Sequence, residues 1–322
     1  MNRREIIEAL KADDFTEFYR EADRICRREK GDTVFMRAII EYSNRCGRLC
    51  AYCGINAAAD IRRYTMKKSE IIDTALAAAA AGYRTIVLQG GENLNTDVEE
   101  LGQVISVIKR AGDGDGDGIA VTLSCGELPE EDLKYLWEMG ADRYLLKHET
   151  ADPKLYRRLH PDSSLAERVE CLRRIKDLGY EAGSGFMVGL PGATVETTAD
   201  DLLLLKELQC DMAGIGPFIP SPDTPLAGAP PGDTEMTKRA VAIARMLLPK
   251  ANLPVTTSLG VLDEEERRKA FSCGANVIMK KVTPNKYKDM YKIYPADIPE
   301  IHIKEDRNNI IEMLEGIGKK GV

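Results

Sequence analysis

The expected fold is α/β: a (β/α)8 TIM-type barrel with an N-terminal helical extension. Three observations predict it. Eight short apolar runs alternate with helical periodicities along the chain. No Pro-, Gly- or Ser-rich linker divides that alternation into two domains. A chain of 322 residues suits one barrel plus a short extension. The extension is placed at residues 1–30, and the barrel with its closing segment at 31–322.

Arg4–Arg28 carries two helical patterns broken near Asp13–Asp14. The strands are expected at Phe35–Ile40, Thr85–Gln89, Ala120–Ser124, Arg143–Leu146, Glu181–Met187, Met212–Pro217, Pro254–Thr257 and Asn276–Met279. Helices are expected near Ser69–Ala81, Val98–Arg110, Glu130–Met139, Leu165–Leu178, Thr197–Leu208, Glu235–Leu248 and Glu264–Cys273. Three segments read as irregular: Gly112–Gly118, Pro217–Pro231 and Val282–Arg307. In barrels of this kind the loops after strands carry the chemistry. The first irregular segment, GDGDGDG, copies the start of a calcium loop with Asp113, Asp115 and Asp117. Its twelfth position is Ser124, where a bidentate Glu is required, so a solvated loop is expected.

Lys plus Arg total 45 and Asp plus Glu total 52, a net charge of −7. That balance argues against nucleic acid as an obligate partner but allows a local basic pocket for a small anion. The charged N-terminus reads as no signal peptide, and the alanine run near Ala75–Gly82 is too short to span a membrane. A cytoplasmic enzyme is expected. Five of the eight cysteines (Cys26, Cys125, Cys171, Cys210 and Cys273) are scattered in or beside apolar elements and read as small core residues.

The other three fall together in YSNRCGRLCAYCG, residues 42–54, straight after the first expected strand. Cys46, Cys50 and Cys53 have Cys-x3-Cys-x2-Cys spacing. Three soft thiolates on one loop can hold three irons of a [4Fe-4S] cubane and leave the fourth iron open to a ligand. Arg45 and Arg48 offset the cluster's charge. The alternative is a zinc site with a distant fourth ligand, for which His148 is the candidate.

This spacing after strand one is similar to the signature of the radical S-adenosylmethionine (SAM) superfamily. There the open iron binds the amino and carboxylate groups of SAM, and one electron from the cluster yields a 5′-deoxyadenosyl radical. The resemblance puts Tyr52 beside the adenine. It matches Gly90, Gly91 and Glu92 to the element that meets the methionine ammonium, and two glycines do let backbone approach a ligand. Glu149, ending strand four, suits the ribose hydroxyls, and Arg168 suits the SAM carboxylate. Met212 and Ile219 flank strand six and are placed against the adenine.

RAIIEYSNRCGRLCAYCG, TIVLQGGE, VTLSCGELP, GADRYLLKHETADP, GFMVGLPG, DMAGIGPFIPSPDTPLA and CGANVIMKKVTP run in order from about residue 30 to 295. They resemble HydE, the radical SAM family that serves [FeFe]-hydrogenase maturation. The resemblance maps the SAM site to Tyr52, Glu92, Ser124, Glu149, Arg168, Met212 and Ile219. It maps an internal substrate cavity to Arg143, Thr256, Thr257, Met279 and Tyr294. It implies a small anionic iron–carbonyl–cyanide–cysteine substrate, an external electron donor and the other hydrogenase maturases as partners. Two departures stand out. The C-terminal IHIKEDRNNIIEMLEGIG has no cysteine for a second cluster, so one [4Fe-4S] cluster is expected. Lys147 replaces an Arg before His-Glu-Thr, and Lys280 and Lys281 are additions. A HydE-like enzyme with a different amino-acid or thiol substrate, or a non-catalytic iron–sulfur scaffold, are the other readings.

Overall fold

Two helices lead into the barrel in the computed structural model, which describes every residue except 94 and 113–117. They are α1 (Arg3–Leu10) and α2 (Thr16–Lys30). Asn2 and Glu5 cap α1 reciprocally. After β1 (Thr33–Ser43) come α3 (Lys68–Ala80), β2 (Thr85–Gly90), α4 (Val98–Gly112), β3 (Ala120–Ser124), α5 (Glu130–Glu138) and β4 (Arg143–Leu145). Then follow α6 (Pro153–Leu159), α7 (Leu165–Asp177), β5 (Glu181–Val188), α8 (Val195–Glu207), β6 (Met212–Pro217), α9 (Thr234–Leu247) and β7 (Pro254–Val255). The chain ends with α10 (Thr257–Leu262), α11 (Glu264–Lys269), β8 (Val277–Lys281), α12 (Ile303–Gly316) and β9 (Lys320–Gly321).

The strands pair in parallel in the order β6-β5-β4-β3-β2-β1-β8-β7. Across the seam, Ala213 N donates to Asn252 O at 3.1 Å, so the (β/α)8 barrel is nearly closed. The seam is thin because β7 is short: Thr256 already caps α10, where the sequence reading has strand up to Thr257. β9 adds to β1 outside the barrel, with Thr33 opposite Lys320.

Strand alternation decides what the interior contains. On β1, Arg37, Ile39 and Glu41 face the cavity, followed by Val87 and Gln89 on β2 and Thr122 and Ser124 on β3. Their neighbours Ala38, Ile40, Ile86, Leu88, Val121 and Leu123 are buried in the core. α1 packs on α8 and α2 on α9, pinned by Arg3–Asp200 and Lys11–Glu196 ion pairs. Beside α2, the buried Arg245 guanidinium donates to the carbonyls of Gly274, Pro249 and Ala251 and to Asn276 Oδ1.

Three helices escape the sequence reading. α6 is short, α10 begins at Thr257, where the expected strand ends, and α12 begins inside the segment expected to be irregular. Asp113, Asp115 and Asp117 lie outside the described residues. No described helix is long and apolar enough to cross a membrane.

Candidate active site

A cavity of about 810 Å³ runs down the barrel from the cysteine loop. Cys46, Cys50 and Cys53 all border it. Their loop is held from several sides. Asn44 Nδ2 donates to Arg62 O and to Met290 O at 2.8 and 2.7 Å. Asn56 Nδ2 donates to Cys53 O at 2.8 Å, and Gly54 N donates to Ile293 O at 2.9 Å. The segment after β8 therefore clamps the loop across the barrel mouth.

Burial holds the Cys53 thiol up to about 12, with Cys46 and Glu149 adding to the effect. Cys50 is raised too, by burial and by the other two thiols. Such thiols become thiolates only with a cation to compensate them. Among the described residues, no three His, Cys, Asp or Glu groups converge on a single-ion site. A cubane takes one thiolate per iron and does not need them to converge. The zinc alternative loses its fourth ligand. His148 is fully buried away from the cavity, with Nδ1 2.9 Å from Ser184 Oγ and Nε2 facing Asp201.

Glu92 and Arg168 meet at the rim. Glu92 pairs with Arg48 and lies 3.4 Å from Arg168. Arg168 Nε donates to Tyr156 Oη at 3.1 Å and also lies 2.8 Å from Glu127, which Arg48 approaches at 3.3 Å. Two arginines and two carboxylates thus form one network. Burial opposes the charge on Arg168, but Glu92, Tyr156 and Glu127 outweigh it and raise its pKa. Its position comes from the start of α7, where Ser164 and Glu167 form a capping box.

The glycines before Glu92 are required by space. A Cβ on Gly90 would sit 2.8 Å from the Tyr42 ring, and one on Gly91 would strike Arg45 O. Gly126, at φ +85°, passes directly over Glu92.

Glu149 adopts φ +61°, an uncommon conformation for a non-glycine residue. Bonds from Glu149 N to Gly185 O (3.0 Å) and from Met187 N to Glu149 O (3.2 Å) hold it there. Lys147 Nζ forms an ion pair with Glu149 Oε2 at 3.0 Å. Tyr52 Oη lies 3.0 Å from His160 Nε2. Burial holds His160 down to about 4, so the ring is neutral at pH 7. Its Nδ1 faces the Tyr156 carbonyl at 3.3 Å and must carry the proton. Nε2 therefore accepts from Tyr52.

The structure brings together at the mouth Cys46, Cys50, Cys53, Tyr52, Gly90, Gly91, Glu92, Ser124, Glu149, Arg168 and Ile219. Thr256, Thr257, Met279 and Tyr294 border the same cavity. Met212 lies deeper than the other residues expected around SAM, and the expectation for Arg143 needs correction. Met212 opens β6, six positions before the loop that reaches Ile219, and receives Arg37 Nη1 on its sulfur at 3.0 Å. It borders the same cavity at its floor. Arg143 is not on the cavity wall. Its Nε bonds Glu181 at 2.7 Å and its Nη1 bonds Thr85 at 3.3 Å, all at the outer rim where β2, β4 and β5 begin. The cation on the cavity floor is Arg37. Burial, then Arg143 nearby, hold it down to about 10. Among the described residues its Nε has no hydrogen-bond partner, and neither has Thr122 Oγ1. Strand alternation from Glu41 back to Arg37 was the available signal; Glu127 and His160 carried none.

Residues 40–204 match the family model of the Radical SAM superfamily. The chain is 45% identical to the [FeFe] hydrogenase maturase subunit HydE of Thermotoga maritima, over 99% of this chain and 96% of that one. The chain belongs to the HydE family. It is a radical SAM enzyme, and that superfamily works with a [4Fe-4S] cluster and SAM. A 3-methylornithine synthase of Methanosarcina acetivorans is 26% identical over 98% of the chain and 88% of its own length. In fold, the chain is similar to the crystal structure of methylornithine synthase PylB, with TM-score 0.87 and 23% identity over 100% and 94% of the two chains. It also resembles the maturase HydG, with TM-score 0.84 and 19% identity over 100% and 72%. The three-thiol loop, the Gly90–Gly91 cradle and the Glu149 carboxylate at the cavity mouth fit a cluster and SAM side by side.

Proposed function

We propose that this enzyme is a maturase of HydE type, acting on a small anionic iron–carbonyl–cyanide–cysteine precursor in [FeFe]-hydrogenase assembly. The observation that carries the reading is the cavity itself. It joins the cysteine loop to a buried floor where Arg37 Nε and Thr122 Oγ1 await partners. A buried cation in ion-pair contact with no carboxylate among the described residues favours an anionic ligand strongly, because little solvent screens it there.

In this reading Cys46, Cys50 and Cys53 hold one [4Fe-4S] cluster, which when bound supplies the single electron for reductive SAM cleavage. Glu92 accepts from the SAM ammonium and Arg168 donates to its carboxylate, exchanging their mutual contact for the ligand. Glu149, fixed by its backbone bonds, accepts from ribose hydroxyls. Tyr52 and Ile219 flank the adenine. Thr256, Thr257, Met279 and Tyr294 shape the lower wall around the substrate. An external donor reduces the cluster, and the other hydrogenase maturases supply and receive the small molecule.

The test is maturation of an apo-[FeFe]-hydrogenase with the other maturases supplied. Recovery of hydrogenase activity that depends on this protein and on SAM is expected. SAM cleavage without maturation would favour the second reading, a HydE-like enzyme with another amino-acid or thiol substrate. Lys147, Lys280 and Lys281 on the cavity wall support that alternative. Absence of SAM cleavage would leave only an iron–sulfur scaffold.

A further inference from the structure

The Glu92–Arg168 pair has a counterpart lower in the same cavity. Glu41 is only 2% exposed, and Lys281 Nζ lies 2.7 Å from its Oε1. The other carboxylate oxygen, Oε2, is buried with no hydrogen-bond partner among the described residues. Both side chains border the cavity. They stand on neighbouring strands, because β1 pairs with β8. Glu41 N donates to Thr283 Oγ1 at 2.9 Å, which ties β1 to the segment after Lys281. The pair is rigidly placed and half used. A buried carboxylate oxygen left without a donor is costly, and an ammonium has three N–H groups for one such partner.

We propose that Glu41 and Lys281 form the recognition site for the α-amino-acid head group of the substrate. The α-ammonium donates to Glu41 Oε2, and the α-carboxylate accepts from Lys281 Nζ. The proposal rests on the reading of the cavity as a substrate site and names the head group that site selects. A lone carboxylate would leave Oε2 unpartnered and face Glu41. A lone amine would face Lys281. A zwitterion with adjacent charges satisfies both. The rim already has its own pair for the head group of SAM, so this second pair serves a second amino acid. Arg37 lies four residues before Glu41 on the same inward face, about 13 Å away at strand spacing. That span leaves room for the anionic remainder of the substrate to reach the floor.

The experiment measures binding to the anaerobically reconstituted holoenzyme with SAM present, by calorimetry. The probes are L-cysteine, cysteamine (no carboxylate) and 3-mercaptopropionate (no ammonium). L-Cysteine should bind at least tenfold more tightly than either analogue. Lys281→Met should erase the preference over cysteamine, and Glu41→Gln the preference over 3-mercaptopropionate. Lys281→Arg should retain both preferences, which guards against a folding defect in the first variant. Equal binding of the three probes, no binding of L-cysteine, or unaltered preferences in well-folded variants would overturn the proposal. The maturation assay reads separately. Cysteine preference without maturation keeps the head-group site and removes the maturase role; maturation without the preference does the reverse.

Discussion

The rim and the floor of the cavity hold similar charges in opposite states. At the rim each carboxylate stands against a cation: Glu92 and Glu127 with Arg48 and Arg168, and Glu149 with Lys147. At the floor Arg37 forms no ion pair among the described residues and touches a methionine sulfur. The rim is held ready by its own network, and a ligand enters by exchanging one partner for another. The floor has charge in reserve, and a ligand there would compensate what the protein leaves open. The difference predicts that equivalent substitutions will act in opposite directions at the two ends.

The largest effect should come from the loop above the rim. Cys46→Ser, Cys50→Ser and Cys53→Ser should each abolish a reducible [4Fe-4S] centre and reductive SAM cleavage. A cubane held at two irons lacks the support that three thiolates give. Iron content and the reduced EPR signal check this; full cluster in any of the three would remove that cysteine from the ligand set. The wild type should hold about four irons.

Arg168→Ala tests the rim. It should weaken SAM binding by ~1.5–3 kcal/mol, the scale of a charge-assisted bond to a carboxylate. It should also lower stability by ~3–5 kcal/mol, because Glu92 and Glu127 lose a buried partner. Titration with SAM and denaturant unfolding read the two separately. An unchanged SAM affinity would confine Arg168 to a structural role.

The rim was legible in the sequence and the floor was not, for a physical reason. Cys46–Cys53 and Gly90–Glu92 are local motifs, in which adjacent residues serve one ligand and the spacing itself is the signal. The floor depends on strand register and direction. Arg143 and Met212 lie on strands that border the cavity, but each begins its strand. Arg143 therefore belongs to the outer rim at the far end, and Met212 to the floor. Arg37 faces inward only because β1 runs unbroken from Thr33 to Ser43, and residues 37, 39 and 41 alternate in phase. Lys281 stood out in the sequence as an addition, but its partner Glu41 emerges only when β1 pairs with β8. The eight strands were readable because each carries an apolar run. α6 and α10 were not, since seven and six residues are too few to establish a helical period.

Arg37→Met sharpens the contrast. A buried guanidinium without a carboxylate burdens the free protein, so an apolar side chain of similar length should stabilise it by ~1–4 kcal/mol. The same change should remove binding of small anionic ligands at the floor. Arg168→Ala destabilises and Arg37→Met stabilises, although both delete a buried cation. Denaturant midpoints for the two variants decide the matter. A loss of stability in Arg37→Met would mean that the floor is as fully compensated as the rim.

The smallest effect concerns pH and belongs to the rim. Burial holds His160 down to about 4, against an ordinary value of 6.5. In the unfolded chain the ring takes up its proton near 6.5; in the folded protein it does so only near 4. Between these values the unfolded state binds more protons, so stability falls as pH falls through this window and is complete above 6.5. From pH 7 to pH 5.5 the loss from this group should be about 1 kcal/mol. His160→Gln carries no titrating ring, so the stability difference between wild type and variant should shift by that amount over the same interval. Both proteins share every other titrating group, including Glu41 and Glu127, whose pKa values burial raises. Those groups act with the opposite sign and cancel in the comparison. Urea midpoints at pH 7, 6.2 and 5.5 give the result. Parallel profiles would mean that His160 takes up its proton at the same pH in the folded and the unfolded chain. Below that pH its Nε2 would be a donor, and Tyr52 would lose the acceptor that orients it beside the cysteine loop.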